Sequence, residues 1–248
     1  MSDSPSAVRI GLLGARGRMG EHVQQAISAG HISQARLAAA ANRGDPLAPL
    51  LSCDVVIDIS SPEAALKLID AIEAAPGGAL PALVIGSTGW TAEQRARLER
   101  AATRTPVLVA SNFSTGVLAL QEILRFAAPL LEKLGYGASI VEAHHVHKKD
   151  APSGTAISLQ KIIAPSSPAS VPVKSVREGE IIGDHEITFQ GPADHITLGH
   201  FAQDRSIFAR GAVDAAVWLA SKRAKPPGRV IGMDSFFSEK ICSKPPTD

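Results

Sequence analysis

Between Glu142 and Thr155 the chain reads Glu-Ala-His-His-Val-His-Lys-Lys-Asp-Ala-Pro-Ser-Gly-Thr, a dense run of side chains that can do chemistry. His144, His145 and His147 exchange protons near neutral pH, and Lys148 and Lys149 set cationic donors beside them. Ser153-Gly154-Thr155 follows Pro152 and reads as the opening turn of a helix, where hydroxyls and backbone amides face an anion. The combination suits a site that grips a small carboxylate and moves a proton. A lone histidine is more often a packed or solvated group, but three of them ahead of this turn favour chemistry. A metal site is the rival reading, because His-His-x-His can supply ligands. The adjacent lysines repel a cation and no carboxylate stands at ligand spacing, so no metal is expected. A strand running through the cluster would put Glu142 and His144 on one face, with His145 and His147 on the other.

A second anion site is expected near the amino terminus. Gly14-Ala15-Arg16-Gly17-Arg18-Met19-Gly20 directly follows the apolar run Val8–Leu13 and leads into a helix-like stretch, Arg18–Ala29. Glycines there let the backbone turn tightly and approach a pyrophosphate at the positive end of a helix, although the spacing is G-x-x-G-x-x-G rather than G-x-G-x-x-G. After the next strand, an acid would bind the ribose hydroxyl of NAD(H), whereas a cation suits the 2′-phosphate of NADP(H). The chain has Asn42-Arg43 there, with Arg16 in the glycine loop, so NADPH is the expected cofactor and NADH the alternative. Gly86-Ser87-Thr88 and Ala110-Ser111-Asn112-Phe113 end two further strands and are expected on the nicotinamide side.

The elements that must position these groups alternate through the first half. Strands are read at Val8–Leu13, Arg36–Ala41, Asp54–Ile59, Ala82–Ile85 and Val107–Ala110. Helices lie between them, one opened by Ser61-Pro62-Glu63 and one over Thr91–Ala102. The pattern implies parallel βαβ units and a doubly wound, Rossmann-like sheet. Past Asn112 it changes. A long helix is read over Thr115–Leu134, with a bend at Pro129, then a strand Ser139–Ala143 and a helix Thr155–Ile163. After a loop at Ala164–Pro172, strand-like pieces at Lys174–Arg177, Glu186–Gln190 and His195–His200 suit a mixed sheet. A late helix over Ala212–Ser221 precedes a tail read as loosely ordered. The reading is therefore an α/β protein: a dinucleotide-binding domain over residues 1–111, an α+β substrate domain over 112–209, and a segment over 210–248 returning to the first.

Composition narrows the partners. At 248 residues, with 45% hydrophobic and 20% charged residues and a net charge of +1, the chain has no basic excess for nucleic acid or a membrane surface. The two cysteines, Cys53 and Cys242, read as reduced thiols rather than a disulfide framework, and Met1 to Ala7 has no apolar signal core. A cytoplasmic protein is expected.

The segment Glu142 to Thr155 resembles the signature of the 4-hydroxy-tetrahydrodipicolinate reductase (dihydrodipicolinate reductase) family. The likeness extends to the glycine loop, Gly86-Ser87-Thr88-Gly89, Ser111-Asn112-Phe113-Ser114 and Phe208-Ala209-Arg210-Gly211-Ala212. It implies hydride transfer from NAD(P)H to a cyclic dicarboxylate in lysine and diaminopimelate biosynthesis. By the same resemblance His144 and Lys148 are the catalytic positions, and His145, Ser153, Gly154 and Thr155 hold substrate. Cofactor contacts fall on Gly14, Ala15, Arg16, Gly17, Arg18 and Met19, on Asn42 and Arg43, on Gly86, Ser87 and Thr88, and on Ala110, Ser111, Asn112 and Phe113. It also implies a homotetramer. Ser87 stands where the family usually has Thr, and the chain is short between Arg43 and Asp54 and between Pro165 and Arg177.

Overall fold

The computed structural model describes residues 7–30, 32, 34–75, 79–167 and 170–240. Its first elements are β1 (Val8–Leu13), α1 (Arg18–Ser28), β2 (Ala35–Ala41), α2 (Ala48–Leu51), β3 (Val55–Asp58), α3 (Pro62–Ala74), β4 (Ala82–Ile85), α4 (Ala92–Ala102) and β5 (Val107–Val109). The sequence then forms α5 (Thr115–Lys133), β6 (Gly137–His144), α6 (Gly154–Ile163), β7 (Val173–Arg177), β8 (Asp184–Gln190) and β9 (His195–Phe201). It closes with α7 (Ser206–Ala220), β10 (Val230–Ile231) and α8 (Met233–Lys240). The chain divides into two compact units, one formed by residues up to Phe113 and from Phe208 onward, the other by Ser114–Ile207.

The first unit carries a six-stranded sheet in the order β10-β5-β4-β3-β1-β2, with every pairing parallel. Val55–Asp58 and Ala82–Ile85 are buried at every position, as strands covered on both faces must be. Leu68, Ile69 and Ile72 of α3 and Leu98, Ala101 and Ala102 of α4 close one apolar cluster with Leu13, Val56, Leu83 and Ile85. The chain runs from β1 to β2 on one side and returns to β3 on the other, so the carboxyl ends of β1 and β3 mark the topological switch point.

The second unit carries a mixed sheet in the order β7-β6-β8-β9, with β6–β7 parallel and the other pairings antiparallel. One face is covered by α5 and α6. Leu120, Leu124, Ala128 and Leu131 pack with Leu159 and Ile163 against Ile140, Ile187 and Phe189. Burying side chains of this size contributes about 1.5–3 kcal/mol each. α5 runs through Pro129, which withholds one backbone donor but leaves the helix assigned to Lys133.

Three expectations are corrected. The strand ends at His144, because residues 146 and 147 form a turn in which the Lys148 amide donates to the His145 carbonyl; His145 and His147 are therefore not strand positions. The late helix begins at Ser206, six residues before Ala212. The segment read as a loose tail holds β10 and α8 over Val230–Lys240, with Phe236 packed edge-on to Trp218 at 5.6 Å. Cys53 is a buried free thiol, while Met1–Ser6 and Cys242 lie outside the described residues. Among the described residues no helix is long and apolar enough to cross a membrane.

Candidate active site

Alternation along β6 turns Ile140, Glu142 and His144 to the covered face of the mixed sheet. Ile140 joins the apolar core; two residues on, the same face carries Glu142, fully buried, and then His144, 8% exposed. A buried carboxylate is costly unless it is paired and hydrogen-bonded. Here Arg177 Nη2 donates to Oε1 at 2.8 Å, the Ser153 amide to Oε1 at 3.3 Å, and His144 Nδ1 lies 2.5 Å from Oε2. Burial alone would raise the Glu142 carboxyl, but the hydrogen bonds from Arg177, Ser175 and His144 outweigh it and hold it at about 2. Burial lowers the His144 imidazole, and the nearby Lys148 and Arg177 charges lower it further, against the opposing pull of Glu142.

His185, on β8, packs its ring edge-on to His144 with centroids 5.3 Å apart. Its Nε2 lies 3.1 Å from Ser153 Oγ, and burial followed by the His144 charge brings it down to about 4. Ser153 is the N-cap of α6, its Oγ accepting from the Ala156 amide at 3.2 Å. Gly154 and Thr155 then supply the first amides of that helix, the positive end of its dipole. Lys148 Nζ sits 2.8 Å from Asp150 Oδ1, and the Lys148 and Asp150 carbonyls accept from Arg177 at 3.3 and 2.5 Å. His144, Lys148, Ser153, Gly154 and Thr155 are thus gathered around one buried ion pair. His145 is turned toward His147, with ring centroids 6.1 Å apart.

In the first unit the glycine loop leaves β1 at Gly14, whose φ of +92° is one that L side chains rarely adopt. A Cβ at Gly20 would stand 2.4 Å from the Gly14 carbonyl oxygen, so the turn needs glycine there too. The first amides of α3, α4, α5 and α6 are each met by a Ser or Thr side chain, from Ser61, Thr91, Ser114 and Ser153. α1 has no such side-chain cap, which leaves the amides of its first turn to an anionic ligand. This observation makes the loop fit a dinucleotide pyrophosphate. Asn42 Oδ1 accepts from the Arg16 amide at 2.8 Å, and its Nδ2 donates to Asp45 at 3.3 Å. Asn42 therefore braces the loop, while Arg16 and Arg43 stay exposed. Ser87 is 5% exposed and spends its hydroxyl on Asp58 at 2.7 Å, so Thr88 is the exposed hydroxyl of that strand end. Phe113 is held by two glycines: a Cβ at Gly211 would meet its carbonyl oxygen at 1.9 Å, and one at Gly86 its ring at 2.8 Å.

The sequence reading missed Glu142, Arg177 and His185 as members of the site. Periodicity could have flagged Glu142, a charge on the buried face of a strand; nothing local announces Arg177 or His185. The fold also supplies the carboxylate that the sequence lacked at ligand spacing, since Glu142, His144 and His185 present atoms within 4.8 Å of one another. The Arg177 guanidinium on that carboxylate opposes a second cation, and the group reads as a hydrogen-bonded network.

Comparison with known proteins agrees with both halves. The model of the dihydrodipicolinate reductase N-terminus matches residues 8–113 and that of its C-terminus residues 116–237. The 4-hydroxy-tetrahydrodipicolinate reductase of Caulobacter vibrioides is 38% identical over 247 residues, covering 89% of this chain and 94% of the relative. That of Zymomonas mobilis is 39% identical over 246 residues, covering 88% and 94%. A dipicolinate-bound dihydrodipicolinate reductase from Paenisporosarcina sp. TG-14 superposes with a TM-score of 0.70 at 22% identity, over 91% of this chain and 97% of that one. At that identity the structural likeness speaks for the fold.

Proposed function

The chain belongs to the dihydrodipicolinate reductase family, and we propose that it reduces 4-hydroxy-tetrahydrodipicolinate to tetrahydrodipicolinate with loss of water. This places it in lysine and diaminopimelate biosynthesis as a nicotinamide-dependent oxidoreductase. The observation that carries the reading is the convergence of a proton-exchanging imidazole, a lysine and a helix amino terminus on one buried ion pair in the second unit. An anionic substrate needs the last of these and the reaction needs the first two.

A bound nicotinamide dinucleotide supplies the hydride. Its pyrophosphate suits the uncapped amides of α1, with Gly14, Ala15, Gly17, Arg18 and Met19 shaping the loop. Gly86 to Thr88 and Ala110 to Phe113 would flank the nicotinamide end. Arg16 and Arg43 favour the 2′-phosphate, so NADPH is the preferred cofactor and NADH the weaker one. In the second unit Ser153, Gly154 and Thr155 hold a substrate carboxylate, His145 contacts the substrate, and His144 or Lys148 delivers the proton. Holding the reacting groups in one geometry removes much of the entropic barrier. The residues over 112–209 serve as the substrate and assembly domain; the family resemblance supports a homotetramer, and two cysteines read as reduced thiols support the cytoplasm. Exposed Ile123, Phe126 and Leu130 on α5 give assembly an apolar surface to cover.

The decisive assay follows loss of reduced nicotinamide absorbance, with substrate generated in place from pyruvate and aspartate semialdehyde by the preceding synthase. Substrate-dependent oxidation, faster with NADPH than NADH, is the expected result. Folded protein that binds NADPH but never oxidises it would instead favour a cofactor sensor.

A further inference from the structure

We propose that the buried Arg177–Glu142 pair is the positioning device of the proton-transfer site, fixing His144 as the Nδ1–H tautomer so that Nε2 is the nitrogen that meets the substrate. The inference rests on the reading of His144 given above; it adds Arg177, which lies outside the signature segment, and gives Glu142, its first residue, a role.

A carboxylate paired with a guanidinium can only accept hydrogen bonds. Glu142 is in that state: Oε1 takes Arg177 Nη2 at 2.8 Å and the Ser153 amide at 3.3 Å, Ser175 also hydrogen-bonds the carboxylate, and His144 meets Oε2. At 2.5 Å from Oε2, Nδ1 must carry its proton, because a bare nitrogen would set two lone pairs against each other. Nε2 is then the bare nitrogen of the neutral ring and the mobile proton of the charged one.

A glycine, Gly183, and not a larger residue stands beside that nitrogen, and any side chain there would crowd it: a Cβ would stand 3.1 Å from Nε2. The charged and titratable groups around the ring are Glu142 on its own strand, Arg177 on β7, His185 on β8 and Lys148 in the following loop. Only Glu142 among them is an anion, so it is the group that makes a transient imidazolium tolerable.

Register explains why the pair can form at all. His144 is the β6 partner of Arg177 on β7, and Glu142 is the partner of Ser175, so the guanidinium arrives alongside the carboxylate. The same guanidinium binds the Lys148 and Asp150 carbonyls, which ties the loop bearing the second proton donor to the carboxylate that orients the first. Through the Ser153 amide the carboxylate also reaches the amino terminus of α6. One ion pair thereby sets three parts of the site.

Two measurements on the full-length protein test this. Imidazole nitrogen NMR of the wild type should show His144 protonated at Nδ1 and bare at Nε2; the opposite tautomer overturns the proposal without reference to activity. In Glu142→Gln, turnover should fall about 10- to 1,000-fold with KM for substrate changed less than about threefold. The limb of the pH–rate profile governed by His144 should move to lower pH, since the anion that favours the charged ring is gone. Arg177→Lys, which keeps the cation, should fall less than Arg177→Ala. Wild-type turnover and an unshifted profile in Glu142→Gln would also overturn it. If that variant does not fold, the wild-type tautomer alone decides. A wild-type protein inactive on this substrate would count against the proposed reaction, while the tautomer would still report on the pair.

Discussion

Ser153 shows how much one small residue is made to do: its hydroxyl caps α6 and meets His185, and its amide reaches Glu142. Such shared residues separate fold from chemistry poorly, whereas Lys148 separates them well. Its ion pair is with Asp150, an exposed carboxylate, and exposed pairs contribute under about 1 kcal/mol. Lys148→Ala should therefore cut turnover by about 10²- to 10⁴-fold in the coupled assay while leaving the melting temperature within a few degrees. Near-wild-type activity would remove Lys148 from the mechanism. Cofactor choice is tested at Asn42. An aspartate there keeps an acceptor for the Arg16 amide but sets a second carboxylate beside Asp45, where a 2′-phosphate would be repelled. Asn42→Asp should lower the NADPH-to-NADH ratio of kcat/KM by about tenfold or more. Residue types alone pointed to His144, Lys148 and the Ser-Gly-Thr turn. Arg177 was hidden because it lies 35 residues beyond Glu142, and only strand register brings them together.

At the scale of elements, the mixed sheet carries a polar rung. Ser175, Glu142, His185 and His200 are successive register partners across β7, β6, β8 and β9. His185 bonds the N-cap serine of α6, and His200 Nε2 lies 3.2 Å from Ser114, the N-cap of α5. The rung thus fastens both helices to the sheet beneath them. Burial lowers His185 from its ordinary 6.5 to about 4, and burial lowers His144 and His200 too. The unfolded chain then takes up protons first as pH falls. Stability present above about pH 6.5 is lost toward pH 4, by roughly 3 kcal/mol for His185 alone. Glu142, held at about 2 against an ordinary 4.5, extends the loss in the same direction at lower pH. Protection factors of the β6 and β8 amides, which take out the intrinsic slowing of exchange in acid, should therefore fall steeply between pH 6.5 and 4 relative to β3 and β4. An equal fall in protection in both sheets would contradict this.

Elements were legible where a single rule decided them. β1 and β4 stand at the residues that apolar runs predicted, and Thr91 caps α4 with Gln94 closing the box. α2 has four residues and β10 two, too short for any period to show, and β10 follows Pro226-Pro227. α7 starts early because the polar and small residues around Ser206 mask the turn that precedes its apolar face.

Considered whole, the chain enters the second unit at Ser114 and leaves it at Ile207, so the first unit is assembled from both ends of the sequence. The returning segment is firmly tied. Arg223 donates to Asp54 at 2.6 Å and to the Leu80 carbonyl at 3.1 Å, and the Val230 amide donates to Glu99 at 3.0 Å. Burial would raise the Asp54 carboxyl, but Arg9 and Arg223 outweigh it and hold it low. Asp54→Ala should lower the urea midpoint and detach this segment first, visible as early exposure of Trp218 while Trp90 stays buried.

Synthesis on the ribosome runs in one direction, and this architecture does not follow that order. The contiguous stretch 114–207 has all its strands as soon as β9 emerges, whereas the parallel sheet must wait for β10 and for the helix α7, whose buried face includes Ala209, Ala212, Val213 and Ala216. The segment translated first is then completed last, with its apolar strands awaiting their final cover in the meantime. Nascent chains stalled beyond residue 207 should accordingly resist protease over 114–207 before they do over 7–113.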